Sequence, residues 1–102
     1  ELSRVTWARI PHFFGTPYYV YQYATCYASS AQILTQILNG SDRERAGAVE
    51  RYLDLLKSGG SDHPMDQLKR AGVDLSRPEA VQAVVRQRDQ LVTELEAAIA
   101  QL

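Results

Sequence analysis

Charged side chains are missing from a long stretch of this chain. Residues 10–41 contain no Asp, Glu, Lys or Arg, although the 102-residue chain has 11 basic and 12 acidic side chains. The same stretch holds five of the six tyrosines. An uncharged, aromatic segment of this length is typical of an element covered by other parts of a protein. We therefore expect the rest of the chain to pack around it.

Sulfur and imidazole are also scarce, with one cysteine and two histidines. A single cysteine excludes an internal disulfide and favours a reducing compartment, so we expect a cytoplasmic location. Cys26, His12 and His63 do not provide three ligands at a known zinc spacing. The chain also lacks a glycine-rich phosphate loop and a nucleophile elbow. We therefore expect no complete active site and no metal site within this chain.

The chain has no excess of basic charge, because its formal net charge is −1. Nucleic acids and anionic membranes attract basic surfaces, so we expect neither as a partner. Polar side chains within the uncharged stretch argue against a membrane-spanning helix. They are Gln22, Thr25, Ser29, Ser30, Gln32, Thr35 and Gln36.

The uncharged stretch predicts a central helix over residues 17–39. Thr16 is a good N-cap, Pro17 is tolerated at the first helical position, and an Asn-Gly pair supplies a left-handed stop. Apolar side chains surround this helix on nearly all sides, so we expect it to be buried. Residues 1–16 are expected to form an amino-terminal segment and a loop leading into the helix.

Three further helices are predicted, over residues 41–58, 62–72 and 76–102. Ser41 and Ser76 are each followed three residues later by Glu, the pattern of a capping box. The apolar residues of the last helix recur every three or four positions, and we favour packing within the chain over a coiled coil because the run is short. No strand-like alternation is present. The sequence thus predicts a single all-α piece, 1–102, with four main helices.

The corner between residues 12 and 21 is the best candidate site. His12 lies shortly before the central helix, and Tyr18, Tyr19 and Tyr21 place hydroxyl groups near backbone N–H groups that a helix start leaves unpaired. Such a corner suits an oxyanion. The residues alone leave open a second interpretation, in which these rings belong to the core and their hydroxyls are satisfied there.

Two segments of the chain resemble a known family. They read WARIPHFFGTPYYVYQYATCYASSAQIL and, later, RYLDLLKSGGSDHPMDQLKRAGVDLSRPEAV. This order of motifs resembles the C-terminal part of oligoendopeptidase F, within the thimet oligopeptidase-like family of zinc metallopeptidases. The resemblance implies an all-helical enzyme with a deep channel, in which an HExxH helix and a downstream Glu bind zinc. None of those ligands is in this chain, so we expect the zinc-bearing N-terminal portion to be missing.

The same resemblance assigns roles to residues of the corner. It implies that His12 and Tyr21 bind substrate and stabilise the tetrahedral intermediate. Tyr19 is the other tyrosine of a Tyr-x-Tyr pair and is also expected to bind substrate. Phe14 stands where the family usually has Tyr, and Tyr18 where it often has Phe; both are expected to bind substrate. A further departure is Cys26, which stands where the family commonly has Gly.

The function implied is that of a C-terminal fragment of a zinc-dependent oligoendopeptidase, which hydrolyses internal bonds of short peptides. The fragment would supply the substrate-binding and oxyanion-stabilising wall and would be inactive alone. Its expected partners are the peptide substrate, the N-terminal portion of its own enzyme and, in isolation, a second copy of itself. The alternative is a non-catalytic helical module that binds peptides or proteins. An HExxH motif in the preceding sequence would distinguish the two.

Overall fold

The computed structural model describes residues 2–101 and contains helices but no strand within that range. It begins with a 3-10 helix, Leu2–Arg9. The α-helices that follow are α1 (His12–Gly15), α2 (Tyr21–Leu38), α3 (Asp42–Ser58), α4 (Pro64–Arg70) and α5 (Glu79–Ile99). The prediction of an all-α fold is confirmed. None of the described helices is both long and apolar enough to cross a membrane.

Helix α2 lies at the centre, because it packs against both α3 and α5, and α3 in turn packs against α4. The core cluster joins Ala28 and Ile33 of α2 to Ala80 of α5 and to Val73, which follows α4 and is fully buried. Most of the buried apolar side chains are alanines. The helices therefore approach one another closely but bury little apolar volume.

The molecule is open and flat. Its radius of gyration is 17.1 Å, whereas a compact chain of about 100 residues has a value near 13 Å. The buried residues of α2 all lie between Ala28 and Ile33, while Tyr21, Tyr23 and Tyr27 are all more than half exposed. The prediction that the central helix is buried is thus wrong for its amino-terminal part.

Helix α2 begins at Tyr21, four residues later than predicted. Thr16 lies at the carboxyl end of α1, so its predicted role as N-cap of the central helix is wrong. The backbone N–H of Tyr19 donates to the carbonyl oxygen of Thr16 at 3.3 Å, which closes a turn through Pro17 and Tyr18. Tyr18 has a φ of 63°. A right-handed helix cannot run through a left-handed residue, so α2 starts only after the turn.

The predicted capping box at Ser41 is confirmed. The backbone N–H of Ser41 donates to Oε2 of Glu44 at 2.8 Å, and the Ser41 hydroxyl donates to the same oxygen at 2.6 Å. These two hydrogen bonds lower the pKa of the Glu44 carboxyl from its ordinary value. Helix α3 therefore starts where the sequence predicts.

The second predicted capping box, at Ser76, is wrong. Both the backbone N–H and the hydroxyl of Ser76 donate to Oδ1 of Asp74, at 3.0 and 2.6 Å, and these bonds lower the pKa of the Asp74 carboxyl. The hydroxyl is therefore engaged in the preceding turn. Helix α5 begins at Glu79, directly after Pro78.

Helix α4 ends in a left-handed turn at Gly72, whose φ is 90°. The N–H of Val73 donates to the carbonyl oxygen of Leu68 at 2.9 Å, and the N–H of Gly72 to that of Lys69 at 3.0 Å. This pair of bonds is a Schellman motif, and it directs Val73 into the core. The helix is shorter than the predicted range 62–72, which includes the turns at both ends.

Helix α5 packs within the chain along its first half only. Ala80 and Ala83 are buried, but every residue from 88 to 100 is exposed. The predicted packing of the last helix within the chain therefore applies to its beginning and not to its end.

Candidate functional site

The candidate corner is built from α1, the turn after it and the start of α2. His12 is the first residue of α1, and its ring stacks on that of Tyr19 with centroids 5.1 Å apart and planes 25° apart. Tyr19 in turn meets Tyr23 edge to face at 5.6 Å. These three residues form a continuous line of rings, which we call the His–Tyr row. It fixes the imidazole by contact with a neighbouring ring.

A hydrogen bond reinforces the His–Tyr row, because the hydroxyl of Tyr23 donates to that of Tyr19 at 3.3 Å. This bond, together with the repulsion that two phenolates would feel, raises the pKa of Tyr23 above its ordinary value. Both effects favour the neutral, donating form of Tyr23.

A second aromatic group is centred on Trp7 of the 3-10 helix. The ring of Trp7 meets Phe13 edge to face at 6.3 Å and stacks on Phe14 at 6.1 Å. Phe14 is thus held against the 3-10 helix that precedes the site, and its ring is 65% exposed. The structure separates Phe14 from the other residues that the sequence singled out.

One member of each aromatic group, His12 and Phe13, lines a recess of about 210 Å³, which we call the corner cavity. Its walls are His12, Phe13, Thr16, Pro17, Tyr18, Val20 and Tyr21. Three of the predicted site residues, His12, Tyr18 and Tyr21, therefore line one cavity. Tyr19 is not a wall residue and contacts the site through its stacking on His12.

The hydroxyls in this cavity are free to bind a ligand. Tyr21 is 58% exposed, and neither its hydroxyl nor that of Tyr18 has a hydrogen-bond partner within residues 2–101. A tyrosine hydroxyl can both donate and accept a hydrogen bond. The cavity can therefore offer two phenol groups and one imidazole to a carbonyl or an oxyanion.

The described residues do not form a metal site. Across residues 2–101, no three side chains of His, Cys, Asp or Glu lie close enough together to hold an ion. Cys26 is exposed on α2. The donors present in this part of the chain thus do not fit a zinc ligand set.

Phe13, Pro17 and Val20 form the apolar part of the cavity wall, although the sequence does not predict them as site residues. The sequence predicts Pro17 as the first residue of the central helix, whereas in the structure it precedes a left-handed residue in a turn. The Pro-Tyr pair carries the proline that such turns favour but lacks the usual glycine after it. The proline is therefore the one sequence signal in this pair that favours a turn.

Comparison with known proteins places the chain in a family. The model of peptidase family M3 matches residues 2–87. Oligopeptidase PepF of Bacillus subtilis is 46% identical over 90 residues, which cover 88% of this chain and 13% of that protein. Group B oligopeptidase PepB of Streptococcus agalactiae is 39% identical over 94 residues, which cover 92% of this chain and 15% of that protein.

An oligoendopeptidase F homolog of Borreliella burgdorferi is 41% identical over 85 residues, covering 83% of this chain and 14% of that protein. The chain thus spans only a small part of the length of these relatives. No solved structure matches it. The family model and the relatives agree, and the chain belongs to the oligoendopeptidase F family within peptidase family M3.

Proposed function

We propose that this chain is part of a zinc-dependent endopeptidase that hydrolyses internal bonds of short peptides in the cytoplasm. Its family membership supports peptidase chemistry, because the relatives are named as oligopeptidases and oligoendopeptidases. The chain spans 13–15% of those three relatives, so the proposed activity is that of a longer protein. The contribution of this part is a wall that binds and orients the peptide.

The observation that carries the proposal is the meeting of His12, Tyr18 and Tyr21 around one cavity. Hydrolysis of a peptide bond places negative charge on the carbonyl oxygen, and fixed neutral donors stabilise that charge most when they are positioned before the reaction. Tyr21 is suited to donate to this oxygen because its hydroxyl has no partner among the described residues. His12, held by Tyr19, is suited to bind the peptide backbone.

Zinc has no ligand set among residues 2–101. On this proposal the metal is bound by residues outside this chain. The chain's own role is then limited to binding the peptide, orienting it and donating hydrogen bonds.

Substitution of Tyr21 tests the proposal in the full-length enzyme. Tyr21→Phe removes one hydroxyl and should lower kcat by on the order of 10²–10³-fold, the typical loss for one donor to an oxyanion. The melting temperature should remain nearly unchanged, because the ring is more than half exposed. Tyr27→Phe is the matched control, since Tyr27 is an equally exposed tyrosine of α2 outside the cavity wall. Normal turnover with a lowered melting temperature would refute the catalytic role.

The exposed rings of α2 support a proposal about partners. Tyr23 and Tyr27 leave an aromatic surface that a soluble protein normally covers. We propose that the N-terminal portion of the same enzyme covers it, and that isolated chains associate through it instead.

The same surface favours the second candidate function, a non-catalytic module that binds peptides or proteins through its exposed tyrosines. The two functions differ in the full-length protein. Peptide hydrolysis that a metal chelator abolishes supports the enzyme. Peptide binding without hydrolysis, in a protein that lacks HExxH, supports the module.

A further inference from the structure

We propose that Tyr18 sets the substrate preference of the corner cavity, by presenting its ring to an aromatic side chain of the bound peptide. This inference rests on the proposed function and adds to it the class of side chain that the cavity selects. It is carried by the backbone of Tyr18, by the exposure of its ring and by the composition of the cavity wall.

The backbone of Tyr18 is strained. It is the only residue other than glycine with a positive φ within residues 2–101, and the turn from Thr16 to Tyr19 places it after Pro17. That position in a turn normally holds Gly or Asn, because a bulky side chain disfavours the left-handed conformation. Strain of this kind is concentrated at functional sites. The turn therefore holds Tyr18 at an energetic cost that fold stability alone does not explain.

Within residues 2–101, the ring of Tyr18 makes no aromatic contact that could offset the cost of its strained backbone. It is 87% exposed, more than any other large apolar side chain in the described part of the chain. Its neighbours His12, Phe13 and Tyr19 are each paired with another ring, whereas no aromatic pair within residues 2–101 includes Tyr18. An unpaired ring at the mouth of a cavity can stack on a ligand.

The cavity is small, and part of its wall is apolar. Its volume of about 210 Å³ lies below the roughly 300–1,000 Å³ of pockets for drug-sized ligands. Phe13, Pro17 and Val20 give it an apolar wall, and no carboxylate, lysine or arginine lines it. A lysine or arginine side chain would find no carboxylate here, whereas an aromatic ring can pack on the wall and stack on Tyr18. The geometry therefore favours a Phe- or Tyr-like side chain over a small or basic one.

The test uses the full-length enzyme and a set of short peptides in which one position at a time is changed from Phe to Ala. In the wild type, one position should show a marked preference for Phe in kcat/KM. Tyr18→Asn keeps a residue that tolerates the left-handed turn but removes the ring, and it should lower that preference roughly tenfold. Tyr18→Phe keeps the ring and should retain the preference. Tyr52→Ala removes a ring of α3 outside the cavity and should also retain it.

The melting temperature gives an independent test of the strained turn. Tyr18→Gly relieves the strained backbone, so its melting temperature should be higher than that of the wild type. A lower melting temperature in this variant would show that the backbone of Tyr18 is not strained. An unchanged preference for Phe in Tyr18→Asn would show that the ring of Tyr18 does not set the preference. If the proposed function is wrong, Tyr21→Phe should show normal turnover. If only this inference is wrong, Tyr21→Phe should still lower turnover.

Discussion

The backbone carbonyl of Gly72 accepts a hydrogen bond from the side-chain amide of Gln36 at 2.8 Å. Gln32 donates to the same oxygen at 3.3 Å, so two side chains of α2 bind the turn that ends α4. Arg51 of α3 donates in turn to Oε1 of Gln36 at 3.2 Å. A polar link thus joins three helices beside the fully buried Val73.

Replacing Gly72 should break this link. A Cβ atom at position 72 would lie 2.7 Å from Oε1 of Gln36, and the φ of 90° disfavours any side chain. We expect Gly72→Ala to reduce the free energy of unfolding by about 1–3 kcal/mol, as measured by denaturant titration. Gly60→Ala is the control, because a Cβ there meets no atom within 4 Å. Equal losses in the two variants would contradict the prediction.

The capping box at Ser41 should make stability depend on pH. The hydrogen bonds from Ser41 lower the pKa of Glu44 in the folded chain, so their contribution is present above the ordinary pKa of a glutamate. It is lost as the pH falls through the lowered value. We expect Glu44→Gln to reduce the fall in melting temperature between neutral and acidic pH, and Ser41→Ala to do the same. A pH dependence identical to that of the wild type in both variants would show that the box contributes nothing.

The His–Tyr row should be visible in a spectrophotometric titration. Because the bond to Tyr19 raises the pKa of Tyr23, the neutral pair stabilises the fold below the ordinary pKa of a tyrosine, and this contribution is lost as the pH rises through the raised value. Tyr19→Phe removes the hydrogen-bond acceptor, so the pKa of Tyr23 should return towards its ordinary value of about 10. Phenolate absorbance measures this change. Tyr52→Phe, which lies on α3, serves as the control.

The isolated chain of 102 residues should bind zinc only weakly and hydrolyse no peptides. It offers no cluster of three metal-binding side chains within residues 2–101, and hydrolysis on our proposal needs groups outside this chain. Calorimetric titration with zinc and a fluorogenic peptide assay measure the two properties. Chelator-sensitive hydrolysis by the purified chain would contradict the prediction.

The sequence predicts helices well where local signals and packing agree. At α3, the Ser41–Glu44 pair predicts the start that the structure shows, and the predicted end at residue 58 is also the observed one. At α2, Thr16 and Pro17 carry equally good local signals, yet the turn at Tyr18 delays the helix. Periodicity and capping preferences predict where helices form. They do not predict a tyrosine in the left-handed conformation, because that conformation is unfavourable for a bulky side chain.

The candidate site was predictable in part. The concentration of His12, Tyr18 and Tyr21 in one short segment is visible in the sequence, and the structure places all three around one cavity. The separation of Phe14 was not predictable, because it depends on stacking against Trp7, which lies in a neighbouring helix. Which rings pair with each other is decided by the path of the chain through two short helices and a turn, and sequence spacing does not fix that path.

The exposed second half of α5 predicts that this helix has two parts with different dynamics. An isolated helix of about a dozen residues is only marginally stable in water, and residues 88–100 are all exposed, with local bonds such as that from Gln90 to Glu94 at 2.8 Å. Backbone amides near Ala80 and Ala83, which are buried against the core, should exchange slowly with deuterated solvent. Those beyond residue 88 should exchange rapidly, and we expect limited proteolysis to remove the end of α5 before it cuts the helices packed around α2.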